Sequence, residues 1–161
     1  MNKAKVELVA LTQPYGRREV DVFDNGIYVN PLTVSEKAAC VCYDSEPSET
    51  FKVVKGCMAS GHMSVMEHIS FTFHVTGVSR ALLAQLSRHR HISLSVRSQR
   101  YCIEDGFDFV NPFQEGDIKY TALDTYAAVT QEYYDSLLEM GAKAEDARAI
   151  LPNACCTELY M

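Results

Sequence analysis

Long apolar runs are missing from this chain. No segment approaches the ~20 apolar residues that a membrane-spanning helix requires. The first residues are not followed by the apolar stretch of a secretory signal either. We therefore expect no membrane segment, no signal peptide and a cytoplasmic location.

The chain also lacks an excess of basic over acidic residues. The 161 residues include 15 Lys and Arg against 21 Asp and Glu, which gives a net charge of −6. Proteins that bind nucleic acids generally carry the opposite balance. The composition therefore predicts no nucleic-acid partner, and it weakens the alternative of a small module that holds an RNA end.

Two short motifs are absent as well. None of the six cysteines forms a C-x-x-C pair, and without a secretory signal we interpret all six as reduced. Most are predicted to be small buried side chains. A catalytic thiol is the alternative, with Cys102 the best placed. The chain has no G-x-G-x-x-G sequence, so a Rossmann-type dinucleotide site is not expected.

The composition that is present is that of a globular protein, with 47% hydrophobic residues. A few predicted strands mix with several helices, without the regular alternation of a βαβ protein. We therefore predict an α+β fold with a mostly antiparallel sheet flanked by helices. Residues 1–161 are predicted to form a single domain, because no repeat or linker is visible.

Local patterns predict the individual elements. Strands are predicted over residues 5–11 and 69–76, the second ending at Gly77, and Asn25-Gly26 predicts a turn. A capping box of Thr33 and Glu36 predicts a helix to about residue 44, and Ser48 is predicted to cap the next helix, which ends before Gly61. Further predictions are helices over 78–90, 117–140 and 144–151, and an extended segment over 98–102.

The longest predicted helix carries a conspicuous apolar stripe. Its members recur at helical spacing, and we assign the tyrosines among them to the core or to a subunit contact rather than to a stacking platform. They are Tyr126, Val129, Tyr133, Leu137 and Met140.

Cations concentrate in residues 85–101. This stretch contains four arginines and two histidines: Arg88, Arg90, Arg97, Arg100, His89 and His91. Arginine binds phosphate and carboxylate bidentately, and neighbouring hydroxyls add hydrogen bonds. The stretch therefore predicts a site for a multiply anionic small molecule. For the Arg-His-Arg triplet a structural alternative is the last turn of a helix, where the dipole favours cations.

Three blocks, in the same order, resemble the flavin-dependent thymidylate synthases. The first is Gly61-His62-Met63-Ser64-Val65-Met66-Glu67-His68, followed by Phe71-Thr72-Phe73. The second is Arg88-His89-Arg90, then seven residues, then Ser98, between Gln85 and Arg100-Tyr101. The third is Ala147-Arg148-Ala149-Ile150-Leu151-Pro152. Together they cover most of the chain.

The resemblance implies an enzyme, a methyltransferase that converts dUMP to dTMP by reductive methylation. Because no side chain transfers hydride, a cofactor has to do so. The resemblance implies FAD for this step, NADPH as the reductant and methylenetetrahydrofolate as the carbon donor. It also implies a homotetramer with its sites between subunits.

The resemblance also implies roles for individual residues. As catalytic groups it implies Arg88 and His89, which would stabilise negative charge. The implied flavin contacts are His62, Ser64, Arg88, His89 and Arg90. The implied dUMP contacts are Gln85, Arg88, Ser98, Gln99, Arg100 and Arg148.

Two departures from the family pattern bear on activity. Members often carry Asn-Glu where this chain has Ser95-Val96. They also continue beyond the third block, with asparagines that contact the flavin and an arginine proposed to activate the uracil. We therefore expect weakened nucleotide binding and poor turnover from this chain. The corresponding alternative is a catalytically impaired nucleotide- and flavin-binding module.

Several single residues allow a different interpretation. Ser98 could serve as a hydrolase nucleophile, although no G-x-S-x-G elbow surrounds it. His62, Glu67 and His68 could suggest a metal, but they lack the two histidines of the zincin motif at i and i+4, so no metal is expected. Arg148 could be an ordinary surface arginine.

Overall fold

The computed structural model of the chain describes four ranges of residues: 4–13, 21–23, 26–28 and 30–161. The chain divides into two compact units. We call Met1–Glu7 with Phe73–Met161 the sheet unit and Leu8–Thr72 the helical unit. The predicted α+β fold is confirmed, whereas the single domain stays a prediction. Asn25 of the predicted turn lies outside the described residues.

The described ranges contain strands, α-helices and two short 3-10 helices. The strands are β1 (Lys5–Leu11), β2 (Asp21–Phe23), β3 (Gly26–Tyr28), β4 (Phe71–Ser79), β5 (Ser95–Val96) and β6 (Cys156–Tyr160). The α-helices are α1 (Leu32–Tyr43), α2 (Lys52–Ala59), α3 (Arg80–Leu86), α4 (Ile118–Glu139) and α5 (Ala144–Ala147). The 3-10 helices span Met63–His68 and Arg148–Ile150.

One sheet has the strand order β1-β4-β6-β5, and β2 pairs with β3 in a separate antiparallel hairpin. Strand β6 is antiparallel to both of its neighbours, so that Tyr160 lies opposite His74 on one side and Ser95 on the other. Thr157 and Leu159 of β6 are buried, and the residue between them is not. Alternation over so few residues gave too weak a signal for β6 to be predicted.

Gly77 does not end the fourth strand, and the prediction that it would is wrong. The register of β4 against β6 shifts between Val75 and Val78, and Gly77 has a φ of 69°. A glycine in this conformation allows a bulge, after which the pairing resumes. Val75 and Val78 therefore both pack against Leu159 in the core of the sheet unit.

Helix α3 is shorter than the predicted span of 78–90. The Ser79 hydroxyl caps its start by accepting the N–H of Leu82 at 3.1 Å. The helix ends at Leu86, and the next residues form turns. The Arg-His-Arg triplet therefore follows the helix instead of forming its last turn, and His91 adopts the left-handed region with a φ of 63°.

The predicted capping box of the helical unit does not form. Helix α1 begins at Leu32, whose N–H donates to the Asn30 side chain at 3.0 Å. Glu36 is 1% exposed and instead caps the start of α2. Its carboxylate accepts three backbone N–H groups, from Val54 at 2.8 Å, Ser48 at 3.2 Å and Val53 at 3.3 Å.

Ser48 is therefore not the cap of α2. The helix starts after Phe51, and the backbone of Phe51 has a left-handed conformation. The core of the helical unit consists of Ala39, Val54, Cys57 and Val65. Gly61 follows the end of α2 with a φ of 77°, which confirms its predicted place beyond the helix.

Helix α4 is confirmed, with Asp117 accepting the N–H of Lys119 at 2.9 Å as its cap. Most of its predicted apolar stripe is exposed, as Tyr133 at 67% and Met140 at 81% show, and only Leu137 of the stripe is half-buried. The buried face holds Ala127, Thr130 and Tyr134. Assigning the stripe to the core was wrong, and a subunit contact stays a prediction.

Near the end of the chain, α5 continues as a 3-10 turn and stops before Pro152, as predicted. Residues 98–102 are not extended: the Cys102 N–H donates to the Ser98 carbonyl at 2.9 Å and closes a turn. In the described ranges, no helix combines the length and the apolar character needed to cross a membrane.

Candidate functional site

A pocket of about 390 Å³ lies in the sheet unit. Residues from three segments line it: the start of α3, the turn after β5 and the segment from α5 to residue 153. They are Arg80, Gln99, Glu145, Arg148, Ala149, Leu151, Pro152 and Asn153. Two predicted dUMP contacts, Gln99 and Arg148, are thus brought together although they lie far apart in the sequence.

The pocket wall contains hydrogen-bond donors that have no partner among the described residues. Gln99 is 8% exposed, and its Nε2 makes no hydrogen bond within the described residues. The same holds for Nε of Arg80. Buried polar atoms are rarely left unpaired in folded proteins. Two of the five such atoms in the described residues belong to side chains that line one pocket, where an acceptor group from outside could pair with them.

Arg80 is the principal site residue that the sequence did not indicate. In the sequence, Arg80 is typical of an ordinary residue at the start of a helix. In the structure its Nη2 donates to the Arg97 carbonyl at 2.8 Å, and the residue lines the pocket. Burial lowers the pKa of Arg80, while the charge of Glu104 acts in the opposite direction. The guanidinium still stays protonated at neutral pH.

Arg97 is held on several sides. Its Nη1 donates to Oε2 of Glu104 at 2.5 Å, and its Nη2 donates to the Ile103 carbonyl at 3.3 Å. Its backbone N–H donates to the Glu158 carbonyl of β6 at 2.9 Å. The hydrogen bond to Glu104 raises the pKa of Arg97. This arginine is therefore a structural cross-link behind the pocket.

Arg100 and Arg148 are exposed and lie near the same acidic residue. Nη2 of Arg100 is 3.4 Å from Oε2 of Glu145, and Nε of Arg148 donates to the Glu145 carbonyl at 3.1 Å. The Arg100 N–H donates to Oγ of Ser98 at 3.2 Å. Glu145 itself lines the pocket. The predicted dUMP contacts Ser98 and Arg100 are thereby linked to the pocket wall.

The Arg-His-Arg triplet has different surroundings. Arg88, His89 and Arg90 are exposed, and their side chains make no hydrogen bond or ion pair within the described residues. They do not line the 390 Å³ pocket. Three charged or ionisable groups without partners on one turn fit a polyanionic ligand better than a role in folding.

The remaining predicted contacts lie elsewhere. Gln85 is exposed on α3 and does not line the pocket. His62 and Ser64 are exposed at the start of the 3-10 helix of the helical unit. Among the described residues, no three side chains of the metal-binding types converge, so a metal site at His62, Glu67 and His68 gains no support from the structure.

The interpretation of Ser98 as a nucleophile also gains no support, whereas a catalytic Cys102, which is partly exposed, stays a prediction. Oγ of Ser98 has the backbone of Arg100 as its partner, and within the described residues it has no hydrogen bond to a histidine or a carboxylate. Cys155 is fully buried, and burial raises the pKa of its thiol to about 12. Burial also raises the pKa of Cys156. Both thiols are therefore protonated at neutral pH, which is the unreactive form.

Residues 27–161 match the family model described as thymidylate synthase complementing protein. The chain is 37% identical to the flavin-dependent thymidylate synthase of Geobacter sulfurreducens over 149 residues, which cover 82% of this chain and 63% of that protein. It is 35% identical to the Clostridium tetani enzyme of the same name, covering 81% of this chain and 64% of that protein. The chain thus spans less than two thirds of the length of these relatives.

Two solved structures share the fold. Thymidylate synthase X from Helicobacter pylori, determined with FAD and dUMP, matches with a TM-score of 0.70 at 22% identity, covering 98% of this chain and 76% of that one. A UMP/dUMP methylase from Streptomyces cacaoi, bound with 5-Br dUMP, matches with a TM-score of 0.70 at 25% identity, covering 99% and 72%. The family match over most of the residues confirms the resemblance of the three sequence blocks, and the chain belongs to the thymidylate synthase complementing protein family.

Proposed function

We propose that this chain binds dUMP in the pocket of the sheet unit and takes part in its reductive methylation to dTMP. The observation that carries the proposal is the meeting of Arg80, Gln99 and Arg148 at one pocket, with donors that have no partner in the described residues. Membership of the family and the names of its relatives support the same reaction.

In this proposal the pocket holds the phosphate of dUMP. Arginine guanidinium groups match phosphate oxygens bidentately, and the Gln99 amide adds a neutral donor. A volume of about 390 Å³ lies in the range of small-molecule sites. Glu145 limits the positive charge of the pocket, which favours one anionic group over a large polyanion. Ser98 and Arg100 complete the proposed contacts from the adjoining turn.

The residues of the exposed triplet fit FAD as the cofactor. Arg88, His89 and Arg90 offer cations and donors that have no other described partner, and a pyrophosphate can accept from several of them. When bound, FAD would supply the hydride that reduces the transferred carbon. We assign His62 and Ser64 as further flavin contacts and Gln85 as a contact to dUMP, as the sequence resemblance implies.

The protein's own contribution is electrostatic and positional. Arg88 and His89 would stabilise negative charge that develops on the pyrimidine, because fixed donors need little reorganisation during the reaction. The pocket would orient the nucleotide by its phosphate, which is remote from the reacting carbon. NADPH as reductant, methylenetetrahydrofolate as carbon donor, a homotetramer with sites between subunits and a cytoplasmic location belong to the same proposal.

The test starts from the visible spectrum of the purified chain. We expect flavin absorbance, and we expect anaerobic NADPH to bleach it in the presence of dUMP. Chromatography after addition of methylenetetrahydrofolate should then detect dTMP. The control replaces dUMP with deoxyuridine, which lacks the phosphate.

Different outcomes separate the candidate functions. A chain that binds FAD and dUMP but yields no dTMP would be a nucleotide- and flavin-binding module without turnover. A chain that binds neither compound would contradict the whole proposal.

A further inference from the structure

Glu104 is a buried carboxylate that does not line the pocket. It is 6% exposed and lies in the loop between β5 and α4. Its backbone N–H donates to the Tyr134 hydroxyl at 3.2 Å, and its carbonyl accepts Nε2 of Gln131 at 3.0 Å. Tyr134 is itself fully buried on α4. Both sides of the Glu104 backbone are thus fixed to a long helix.

The carboxylate of Glu104 connects this fixed backbone to the pocket through Arg97. It accepts Nη1 of Arg97 at 2.5 Å, and the Arg97 carbonyl accepts Nη2 of Arg80 at 2.8 Å. Arg97 directly precedes the turn that carries Gln99, and both Arg80 and Gln99 line the pocket. One carboxylate therefore supports two pocket residues through Arg97.

The charge of Glu104 has a second consequence. Arg80 and Arg97 are two cations in close proximity, and Glu104 is the buried anion beside them. Oε1 of Glu104 has no hydrogen-bond partner among the described residues, so the carboxylate is held on one side only. Without this charge, two partly buried guanidinium groups would repel each other across a region of low dielectric.

We propose that Glu104 is a positioning residue for anion binding: through Arg97 it fixes Arg80 and the turn of Gln99 in the geometry that the phosphate of the ligand requires. The inference rests on the proposed function, because it assumes that the pocket takes a phosphate. It adds a residue that touches no ligand and that the sequence pattern did not indicate.

The test compares Glu104→Gln with Asp105→Asn in the full chain. Asp105 is the exposed neighbour, so the control removes the same charge one position away. Calorimetry measures binding of dUMP and of deoxyuridine to each variant below its unfolding temperature. We expect Glu104→Gln to weaken dUMP binding about tenfold and deoxyuridine binding much less, because only the phosphate contacts are disturbed. Asp105→Asn should leave both affinities unchanged.

A second variant covers the case in which Glu104→Gln does not fold. Replacing both partners, as Arg97→Met with Glu104→Leu, removes the ion pair without leaving a buried carboxylate unpaired, and such replacements often preserve stability. It should also lose affinity for dUMP selectively. Unchanged dUMP binding in a folded variant, or an equal loss for both ligands, would overturn the inference.

The proposed function fails in a different way. A wild-type chain that binds neither dUMP nor inorganic phosphate would overturn the pocket assignment, and the role of Glu104 with it. Wild-type binding of dUMP with undiminished binding by Glu104→Gln would overturn the positioning role alone.

Discussion

The arginine stretch has a first half around Arg88 and Arg90 and a second half around Arg97. The two halves contain the same kinds of residue but differ in the partners of their arginines. In the second half, Arg97 is tied to a buried carboxylate, a strand and a neighbouring arginine. In the first half, Arg88 and Arg90 face solvent without described partners. A cation with a full set of protein partners contributes to the fold, whereas one without them is available to a ligand. Residue type alone therefore does not separate structural from functional arginines here.

The largest expected effect comes from breaking the ion pair between Arg97 and the buried Glu104 in the second half. Arg97→Ala removes the hydrogen-bonded partner of the buried Glu104 carboxylate and leaves only Arg80 nearby, which should lower the free energy of unfolding by about 2–3 kcal/mol, because Arg97 itself is partly exposed. The matched control is Arg90→Ala, for which we expect a change within about 0.5 kcal/mol. Urea unfolding measures both. An equal loss of unfolding free energy in the two variants would contradict the distinction between a structural Arg97 and a solvent-facing Arg90.

The next effect concerns the pocket. Arg148→Gln removes an exposed guanidinium that lines it, so dUMP binding should weaken about 30-fold while the unfolding midpoint stays the same. Lys143→Gln removes a cation from the same segment but outside the pocket, and it should bind dUMP like the wild type. Calorimetric titration tests this pair. Similar affinities for both variants would place the phosphate elsewhere.

A smaller effect is expected from the exposed half. Arg88→Gln combined with Arg90→Gln should weaken flavin binding about tenfold without destabilising the fold, because these side chains have no described partners to lose. Fluorescence quenching of FAD during titration measures the affinity. Lys119→Gln, an exposed cation on α4, is the control. Loss of stability in the double variant would show that the triplet belongs to the fold after all.

The smallest effect concerns a second buried carboxylate, Glu36 of the helical unit. Burial acts to raise the pKa of Glu36, but its three backbone donors outweigh burial and leave the pKa below the usual 4.5. A carboxylate whose pKa is lowered by folding stabilises the folded protein at any pH above its pKa in the unfolded chain. This stabilisation is lost as the pH falls through its pKa in the folded protein. Glu36→Gln should therefore cost about 1–2 kcal/mol at pH 7, and the difference should shrink below pH 4.5.

Unfolding of the wild type and of Glu36→Gln at both pH values checks this prediction, with exposed Glu46→Gln as the control. A difference that persists in acid would mean that the packing of Glu36, and not its charge, stabilises the helical unit.

Much of the fold could be predicted because its signals are local. The length of α4, the position of Gly61 and the span of β1 all follow from neighbouring residues. The errors arose where distant residues decide. Glu36 pairs with α2 instead of its own helix, and Tyr134 is buried while adjacent Tyr133 is exposed. Neither outcome is determined by the local pattern.

The site was predicted unevenly for the same reason. Gln99 and Arg148 were identified through the family resemblance, and the structure brings them to one pocket. Arg80 and Glu104 were missed because the sequence gives neither a distinguishing pattern. Arg80 resembles an ordinary first residue of a helix, and Glu104 resembles an ordinary acidic residue of a loop. Their roles depend on Arg97, which connects them only once the chain is folded. Residues that act through another side chain carry no motif of their own.

The burial of Cys155 has a practical consequence for labelling. With a thiol pKa of about 12, this residue stays unreactive towards maleimide at neutral pH, and Cys40 and Cys57 are buried as well. Cys42 on α1 is exposed, so a dye added to the native protein attaches there first. A fluorescent reporter can thus be placed on the helical unit at Cys42 once the partly exposed Cys102 and Cys156 are replaced.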